Sequence, residues 1–294
     1  GPESAVELTD YSRDQLAARL ADIAREKLRK ADFAYEGPFY ERWKTQLFAG
    51  LDDATTPVDA EPPHTAPERG LFATFLDTEL ASDGRARPHR FELPFGEGLP
   101  DSIGGPFEIE RPDGSTVSLR GYIDRVDVSP DNQEPTVELY DYKTGRPPYM
   151  TQTTGGTKFQ LPIYLLAADA VLDGELVEQA TLSATYYQVK PPNSVRTPRG
   201  IESKFDSQAE LRAFLTDIVP GWLGQVDDAI AAGRFHTTLL SAKEANCSYC
   251  EYRRACDVRH HRKRAFVDEA RSDASAYVPL RVRDTDLAEV MADD

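Results

Sequence analysis

The sequence predicts an α/β protein with a mixed central sheet flanked by helices. Helical patterns come first along the chain, and a block of strand patterns follows between residues 87 and 143. A helical pattern, one more strand pattern and a last helical pattern complete the order. The apolar fraction of 40% across 294 residues is sufficient for a sizeable hydrophobic core.

Residues 1–67 are predicted to form an N-terminal helical segment and a connector. Leu16, Leu20 and Leu28 lie on one stripe of residues 12–31 with charged residues opposite, which predicts an amphipathic helix. A second helix is predicted at 38–51. The polar stretch 52–67 contains four prolines, so we interpret it as a mobile connector.

Residues 68–264 are predicted to form the core domain. Its helices are predicted at 68–81, 158–171 and 207–232. Its strands are predicted at 87–94, 107–111, 115–128, 136–143 and 181–189. Residues 265–294 are acidic and weakly patterned, which indicates a tail that is flexible or docks on a partner.

The stretch from Gly121 to Lys143 has the pattern of two strands joined by a loop rich in turn-forming residues, which predicts an antiparallel hairpin. Because side chains alternate between the faces of a strand, Asp141 and Lys143 point the same way. The hairpin brings Asp124 on the first strand near Asp141 on the second. Two carboxylates and a lysine are suited to hold Mg²⁺ or Mn²⁺ together with a phosphate or an attacking water.

The same hairpin also permits a plainer interpretation. Its charged residues are then salt-bridged on an exposed face of the sheet, since hairpins with one charged, solvated face are common. These residues are Asp124, Arg125, Asp127 and Lys143. Residue spacing alone does not decide between this interpretation and a metal site.

Three ordered motifs resemble those of a known nuclease family. They are GYIDRVD at 121–127, DYKTG at 141–145 and QLPIY at 160–164. Together they are similar to the motifs of PD-(D/E)XK nucleases of the RecB/AddB type, and the resemblance covers about residues 35–262. It implies a restriction-endonuclease-like fold, in which helices flank a mixed central sheet.

The resemblance also implies metal-dependent hydrolysis of a DNA phosphodiester bond. The residues that match the family's metal ligands are Asp124, Asp141 and, through its backbone carbonyl, Tyr142. Lys143 matches the lysine that assists the attacking water. The implied cofactor is Mg²⁺ or Mn²⁺.

The third motif adds Gln160 and Tyr164 to the candidate catalytic residues. Because they are four residues apart on a predicted helix, they share a face that can point at the active site. Pro162 is tolerated only near the first turn of such a helix. An alternative is that Tyr164 is an ordinary core aromatic and Gln160 belongs to the helix cap region.

All three cysteines lie within ten positions, as Cys247, Cys250 and Cys256, which argues against a disulfide framework. The trio resembles the C-terminal iron–sulfur cysteines of the AddB group, whose fourth cysteine lies far upstream. A [4Fe–4S] cluster is therefore implied for a full-length parent protein. Gly1-Pro2 resembles a protease-cleavage scar, and we expect the fourth cysteine to precede it in that parent.

Other interpretations of the trio stay open. His260 is a candidate fourth ligand, which would complete a tetrahedral Cys₃His zinc site. Alternatively the thiols carry no ligand, because a [4Fe–4S] cluster requires four cysteines. Without the fourth cysteine, the cluster is incomplete or absent in this chain.

One position departs from the family pattern. Many members carry a histidine metal ligand in a Gly-x-x-x-His motif, and the matching position after Gly70 is Thr74. The histidine's role is therefore not assigned to this chain. Glu79 on the same predicted helix is a candidate replacement acid, but we favour its interpretation as a solvated helix carboxylate.

The chain carries 50 Asp and Glu against 34 Lys and Arg, a net charge of −16, and nine of the basic residues are lysines. This composition is typical of halophiles, and we expect a haloarchaeal source. An acidic chain repels DNA unless its basic residues are concentrated locally. The candidate DNA contacts are Arg146, Lys158, Arg253 and Arg254. Alternatively, such charges balance neighbouring acids or contact other domains of the parent.

These observations predict the nuclease part of a helicase–nuclease in DNA break processing and recombinational repair. Its expected partners are DNA, single-stranded or with a free end, and helicase domains or a helicase subunit. The alternatives are a stand-alone or CRISPR-adaptation-type exonuclease, a non-catalytic DNA-binding or scaffold module with the nuclease fold, and a zinc-bearing adaptor. The sequence has no apolar run of about 18 residues and no signal-like segment, so we expect a cytoplasmic protein without membrane contact.

Overall fold

The computed structural model describes residues 10–30, 38–51, 69–81, 86–100, 105–129, 135–172, 179–191, 194–196 and 199–233. Several predictions fall outside these residues. They concern Cys247, Cys250, Cys256, His260, Arg253, Arg254, the connector at 52–67 and the tail at 265–294. The domain boundaries at residues 67 and 264 also lie outside the described part of the chain and stay predictions.

The described helices agree with the helical patterns to within a few residues. They are α1 (Arg13–Lys30), α2 (Pro38–Phe48), α3 (Leu71–Leu80), α4 (Met150–Thr154), α5 (Gln160–Val171), α6 (Gln208–Ala213) and α7 (Val219–Ala231). Helix α4 is short and has no counterpart among the predicted elements. None of the helices in the described ranges has the length and apolar character needed to cross a bilayer.

The strands follow the alternating patterns of the sequence. They are β1 (Arg87–Phe95), β2 (Phe107–Glu110), β3 (Thr116–Leu119), β4 (Gly121–Val128), β5 (Thr136–Lys143), β6 (Thr181–Lys190) and β7 (Ser194–Arg196). Strands β2 and β3 form a separate antiparallel pair. The other five form the central sheet in the order β1-β4-β5-β6-β7.

The central sheet is mixed, which confirms the predicted α/β fold class. Strands β4 and β5 are antiparallel, β5 and β6 are parallel, and β6 and β7 are antiparallel. Helix α3 packs against β6 and β7. The interior of β4, β5 and β6 is apolar, with Ile123, Leu139 and Ala184 fully buried.

Two predicted elements are divided in the structure. The predicted strand at 115–128 breaks at Arg120, so that β3 and β4 belong to different sheets. The Phe95 ring packs on the backbone of Gly121, where a Cβ would lie 2.8 Å from the ring. The predicted helix at 207–232 contains a π-helical turn, Phe214–Ile218, just before Pro220. Proline has no N–H to donate, which interrupts the α-helical hydrogen bonding at this point.

The chain divides into two compact units. The first comprises Gly1–Leu93, Tyr122–Pro147 and Leu172–Gly200, and the second comprises Pro94–Gly121, Pro148–Val171 and Ile201–Asp294. In the first unit, α1, α2 and α3 share a core through Ala21, Phe48 and Leu76. In the second unit, Trp222 packs edge to face on Phe214 with ring centroids 5.6 Å apart.

Candidate functional site

The β4–β5 hairpin carries charged residues on both faces of the sheet. Arg125 lies opposite Tyr140 in the antiparallel register. Because side chains alternate and cross-strand partners share a face, this register places Asp124 and Asp141 together. Arg125 and Asp127 lie on the other side. We call these two sides the Asp141 face and the Arg125 face.

The Asp141 face brings together three of the predicted site residues. The Asp141 side chain is 1% exposed and forms an ion pair with Lys143, two residues later on β5. The Oδ2 atom of Asp124 accepts a hydrogen bond of 2.8 Å from the backbone N–H of Tyr142. The two carboxylates and the lysine therefore lie at one end of the hairpin, as the alternation of side chains predicts.

Strand β6 supplies neighbours that the sequence motifs do not include. Tyr186 is the register partner of Asp141, and its ring centroid lies 5.5 Å from Nζ of Lys143. Gln188 is the register partner of Lys143 and donates a hydrogen bond of 2.6 Å to the carbonyl of Gly145. The pattern of residues 181–189 predicts a strand, but only the structure shows that this strand pairs with β5.

The donor atoms of the Asp141 face fit a hard divalent cation. Mg²⁺ and Mn²⁺ prefer oxygen ligands, and Mg²⁺ is usually held by one or two carboxylates together with waters and phosphates. Asp124, Asp141 and the carbonyl of Tyr142 are ligands of this kind. Among the residues that the structure describes, no group of three or more His, Cys, Asp or Glu side chains is placed to hold a metal ion. A cation at this face therefore depends on water and substrate oxygens to complete its coordination.

The Arg125 face holds a buried ionic network. Arg125 makes a bidentate ion pair with Asp127, in which both N–O distances are 2.6 Å, and donates a bond of 2.9 Å to Glu79 on α3. The Tyr187 hydroxyl donates to the other Glu79 oxygen at 2.6 Å. The Arg125, Asp127 and Glu79 side chains are 7%, 3% and 13% exposed.

This network corrects two interpretations. Glu79 is not a solvated helix carboxylate, and it is not a replacement acid beside Asp124, because it neutralises Arg125 on the other face. Arg125 and Asp127 are salt-bridged as the plainer interpretation expected, but they are buried rather than exposed. The signal for this pairing is non-local, since α3 and β4 are far apart in the chain.

Burial and charge perturb the pKa values on the Arg125 face. Burial acts to lower the pKa of Arg125, but the hydrogen bonds and charge of Asp127, followed by the charge of Glu79, outweigh it and raise this pKa. Burial raises the pKa of Asp127, and Arg125 opposes that shift. Burial raises the pKa of Tyr187, and its hydrogen bond to Glu79 raises it further. The guanidinium stays charged and the phenol stays neutral.

Gln160 and Tyr164 share one face of α5. The Nε2 atom of Gln160 donates a hydrogen bond of 3.0 Å to the hydroxyl of Tyr164. The Tyr164 ring is buried and packs edge to face on Phe95. Pro162 lies in the first turn of α5, where proline is tolerated. Both residues belong to the second unit, and their role in catalysis stays a prediction.

The chain matches the PD-(D/E)XK nuclease superfamily over residues 6–257. It belongs to that superfamily. Asp141-Tyr142-Lys143 has the D-x-K spacing that the superfamily name describes, and its catalytic role stays a prediction. The triplet ends β5, where Asp141 and Lys143 form their ion pair.

Two relatives of this PD-(D/E)XK chain share one name, that of a subunit of an ATP-dependent helicase/deoxyribonuclease. The relative from Symbiobacterium thermophilum is 33% identical over 150 residues, which are 48% of this chain and 12% of that protein. The relative from Clostridium kluyveri is 34% identical over 136 residues, 44% of this chain and 11% of that protein. The chain thus matches a small part of each relative.

Other predicted residues of the superfamily pattern have defined positions. Gly70 lies against the end of α2, where a Cβ would be 2.6 Å from the carbonyl oxygen of Gln46. Thr74 donates its hydroxyl to the Gly70 carbonyl at 2.9 Å. Arg146 is exposed shortly after β5, and Lys158 is half-buried just before α5. Contact of Arg146 and Lys158 with DNA stays a prediction.

Proposed function

We propose that this chain is the nuclease domain of a helicase–nuclease and hydrolyses phosphodiester bonds of DNA with Mg²⁺ or Mn²⁺. The observation that carries the proposal is the Asp141 face. There a buried aspartate, its ion-paired lysine and a second carboxylate meet at the D-x-K triplet of a nuclease superfamily. The names of the two relatives support DNA as the substrate and a helicase as the partner.

The residues of the Asp141 face take separate roles in this proposal. Asp124, Asp141 and the Tyr142 carbonyl hold the cation, which supplies Lewis acidity toward the phosphate and a nucleophilic water. Lys143 places a positive charge beside the attacking water or a phosphate oxygen. Asp141 also orients Lys143 through their ion pair.

Residues beyond this face complete the proposal. Gln160 and Tyr164 are further catalytic residues, and basic side chains contact the phosphates of the DNA. These basic residues are Arg146, Lys158, Arg253 and Arg254. The cysteine trio at 247–256 holds part of a [4Fe–4S] cluster in this proposal.

Cleavage of labelled single-stranded DNA in molar KCl, with Mg²⁺ or Mn²⁺, tests the proposal. Asp141→Asn keeps the shape of the side chain but removes its charge, and we expect kcat to fall at least about a hundredfold. Asp127→Asn is the matched control, because it neutralises an equally buried aspartate of the same hairpin on the other face. Full activity of Asp141→Asn in the presence of Mg²⁺ would refute the assignment.

A non-catalytic DNA-binding module is the second candidate function, and Thr74 at the position of the family's histidine favours it. This candidate predicts no cleavage by the wild-type chain with either cation. It also predicts that fluorescence anisotropy detects equal DNA binding by the wild type and Asp141→Asn. Cleavage by the wild type would exclude it.

A further inference from the structure

The ammonium group of Lys143 has an acidic and an aromatic neighbour on the Asp141 face. Asp141 forms its ion pair, and the ring of Tyr186 has its centroid 5.5 Å from Nζ. A cation within about 6 Å of an aromatic centroid is attracted by the negative face of the ring. Two directional contacts therefore act on one flexible side chain.

Of the two side chains, burial fixes the Tyr186 ring more firmly than the Lys143 side chain. Tyr186 is completely buried within β6, and the register of the parallel ladder places it beside Asp141. The Lys143 side chain is 27% exposed, so it is less tightly enclosed than the ring. A lysine side chain has many rotamers, and an ion pair to one carboxylate leaves much of that freedom. The fixed ring restricts the directions that remain.

Tyr187 provides an internal comparison. It follows Tyr186 directly, is also buried, and lies on the Arg125 face, where it donates a hydrogen bond to Glu79. The two tyrosines therefore have the same chemistry and similar burial, but they face opposite sides of the sheet. Tyr186 has its ring near Nζ of Lys143, whereas Tyr187 binds Glu79.

We propose that Tyr186 is a positioning residue, which orients the ammonium group of Lys143 toward the substrate side of the Asp141 face. This inference rests on the proposed nuclease function and adds a residue of β6 to it. The aromatic ring carries the effect, so phenylalanine can replace tyrosine and an aliphatic side chain cannot. Replacing Tyr186 leaves the proposed ligands of Mg²⁺ or Mn²⁺ unchanged, because Tyr186 is not one of them.

Steady-state kinetics on single-stranded DNA test this role. In Tyr186→Leu we expect kcat to fall about tenfold or more, while KM for DNA and the Kd for Mn²⁺ stay within about twofold of the wild type. Tyr186→Phe should recover most of the lost kcat. Tyr187→Leu is the matched control, since it removes a buried tyrosine from the other face, and its kcat per folded molecule should not fall.

Nuclear magnetic resonance gives a second measure that does not depend on activity. The chain has nine lysines, so spectra of protein labelled with ¹³C at lysine Cε are simple. The Lys143 signal, assigned by its loss in Lys143→Arg, should show a ring-current shift in the wild type. We expect this shift to persist in Tyr186→Phe and Tyr187→Leu and to vanish in Tyr186→Leu.

The two measurements separate this inference from the proposed function. If the wild type cleaves DNA and Asp141→Asn does not, the proposed function stands. A Lys143 signal that Tyr186→Leu leaves unchanged, or an equal loss of kcat in Tyr186→Leu and Tyr187→Leu, would then overturn the positioning role alone. A wild type without nuclease activity would overturn both.

Discussion

The two faces of the β4–β5 hairpin contain the same elementary unit in different surroundings. On each face a buried aspartate is paired with a basic residue two positions away, Asp127 with Arg125 and Asp141 with Lys143. Arg125 is 7% exposed and is also bound to Glu79, whereas Lys143 is 27% exposed. A buried ion pair alone therefore does not distinguish the proposed active site from the other face. The two faces differ in how far the basic side chain is exposed.

The largest expected effect is the loss of stability when the network of the Arg125 face is broken. Arg125→Met should lower the free energy of unfolding by about 3–5 kcal/mol, because it leaves the Asp127 and Glu79 carboxylates buried without their cation. Urea denaturation measures this loss. The triple variant Arg125→Met/Asp127→Asn/Glu79→Gln, which removes the stranded charges as well, should be more stable than Arg125→Met. If the two variants are equally stable, burial of charge is not the cause.

On the Asp141 face we expect a smaller effect on stability and a large effect on catalysis. Lys143→Met leaves the buried Asp141 carboxylate without its partner, but Lys143 is 27% exposed and only one carboxylate is stranded, so we expect its free energy of unfolding to fall by less than that of Arg125→Met. Its kcat should fall at least about a hundredfold, equivalent to roughly 2.7 kcal/mol of transition-state stabilisation. Urea denaturation and DNA cleavage on the same preparation test both statements. A large stability loss with normal cleavage would reverse the roles assigned to the two faces.

The smallest expected effect is a pH dependence on the Arg125 face. Because the pKa of Tyr187 is raised, the folded chain keeps the phenol proton at a pH where the unfolded chain loses it. Stability from this group is complete below about pH 10 and falls as the pH rises from there toward the folded pKa. Between about pH 8 and 10.5 the wild type should lose roughly 0.8 kcal/mol more than Tyr187→Phe.

Urea denaturation of both proteins at the two pH values measures that difference. Tyr11→Phe, a change at an exposed tyrosine, is the control and should lose as much stability as the wild type. Equal losses in the wild type and Tyr187→Phe would mean that the phenol ionises as readily in the folded chain as in the unfolded one.

Local patterns predicted the parts of the site that lie close together in the chain. Asp141 and Lys143 are two residues apart on one strand, and a turn-rich loop brings Asp124 back to them, so alternation and hairpin formation suffice. The interpretation of Glu79 was wrong, and Tyr186 was not predicted as a site residue at all. The partner of Glu79 depends on helix docking, and that of Tyr186 depends on parallel strand register. These pairings join residues far apart in the chain, and no local pattern encodes them.

Two element boundaries differ from the sequence prediction for a similar physical reason. The alternating pattern of residues 115–128 continues through Arg120, but the close packing of Phe95 on Gly121 marks where the strand leaves one sheet for another. The apolar pattern of residues 207–232 continues through the π-helical turn near Pro220. The first interruption arises from packing and the second from the missing N–H of proline. Neither alters the spacing of apolar residues along the sequence, so the sequence pattern does not reveal them.

Burial of the Arg125 network also sets how the fold responds to ionic strength. Exposed ion pairs such as Lys30 with Glu26, which are 70% and 52% exposed, are screened by mobile ions over about 3 Å in molar salt. Arg125, Asp127 and Glu79 are largely buried, so salt screens their attraction much less. The ion pair that joins α3 to β4 should therefore depend less on salt than the exposed pairs do, in a chain whose net charge is −16.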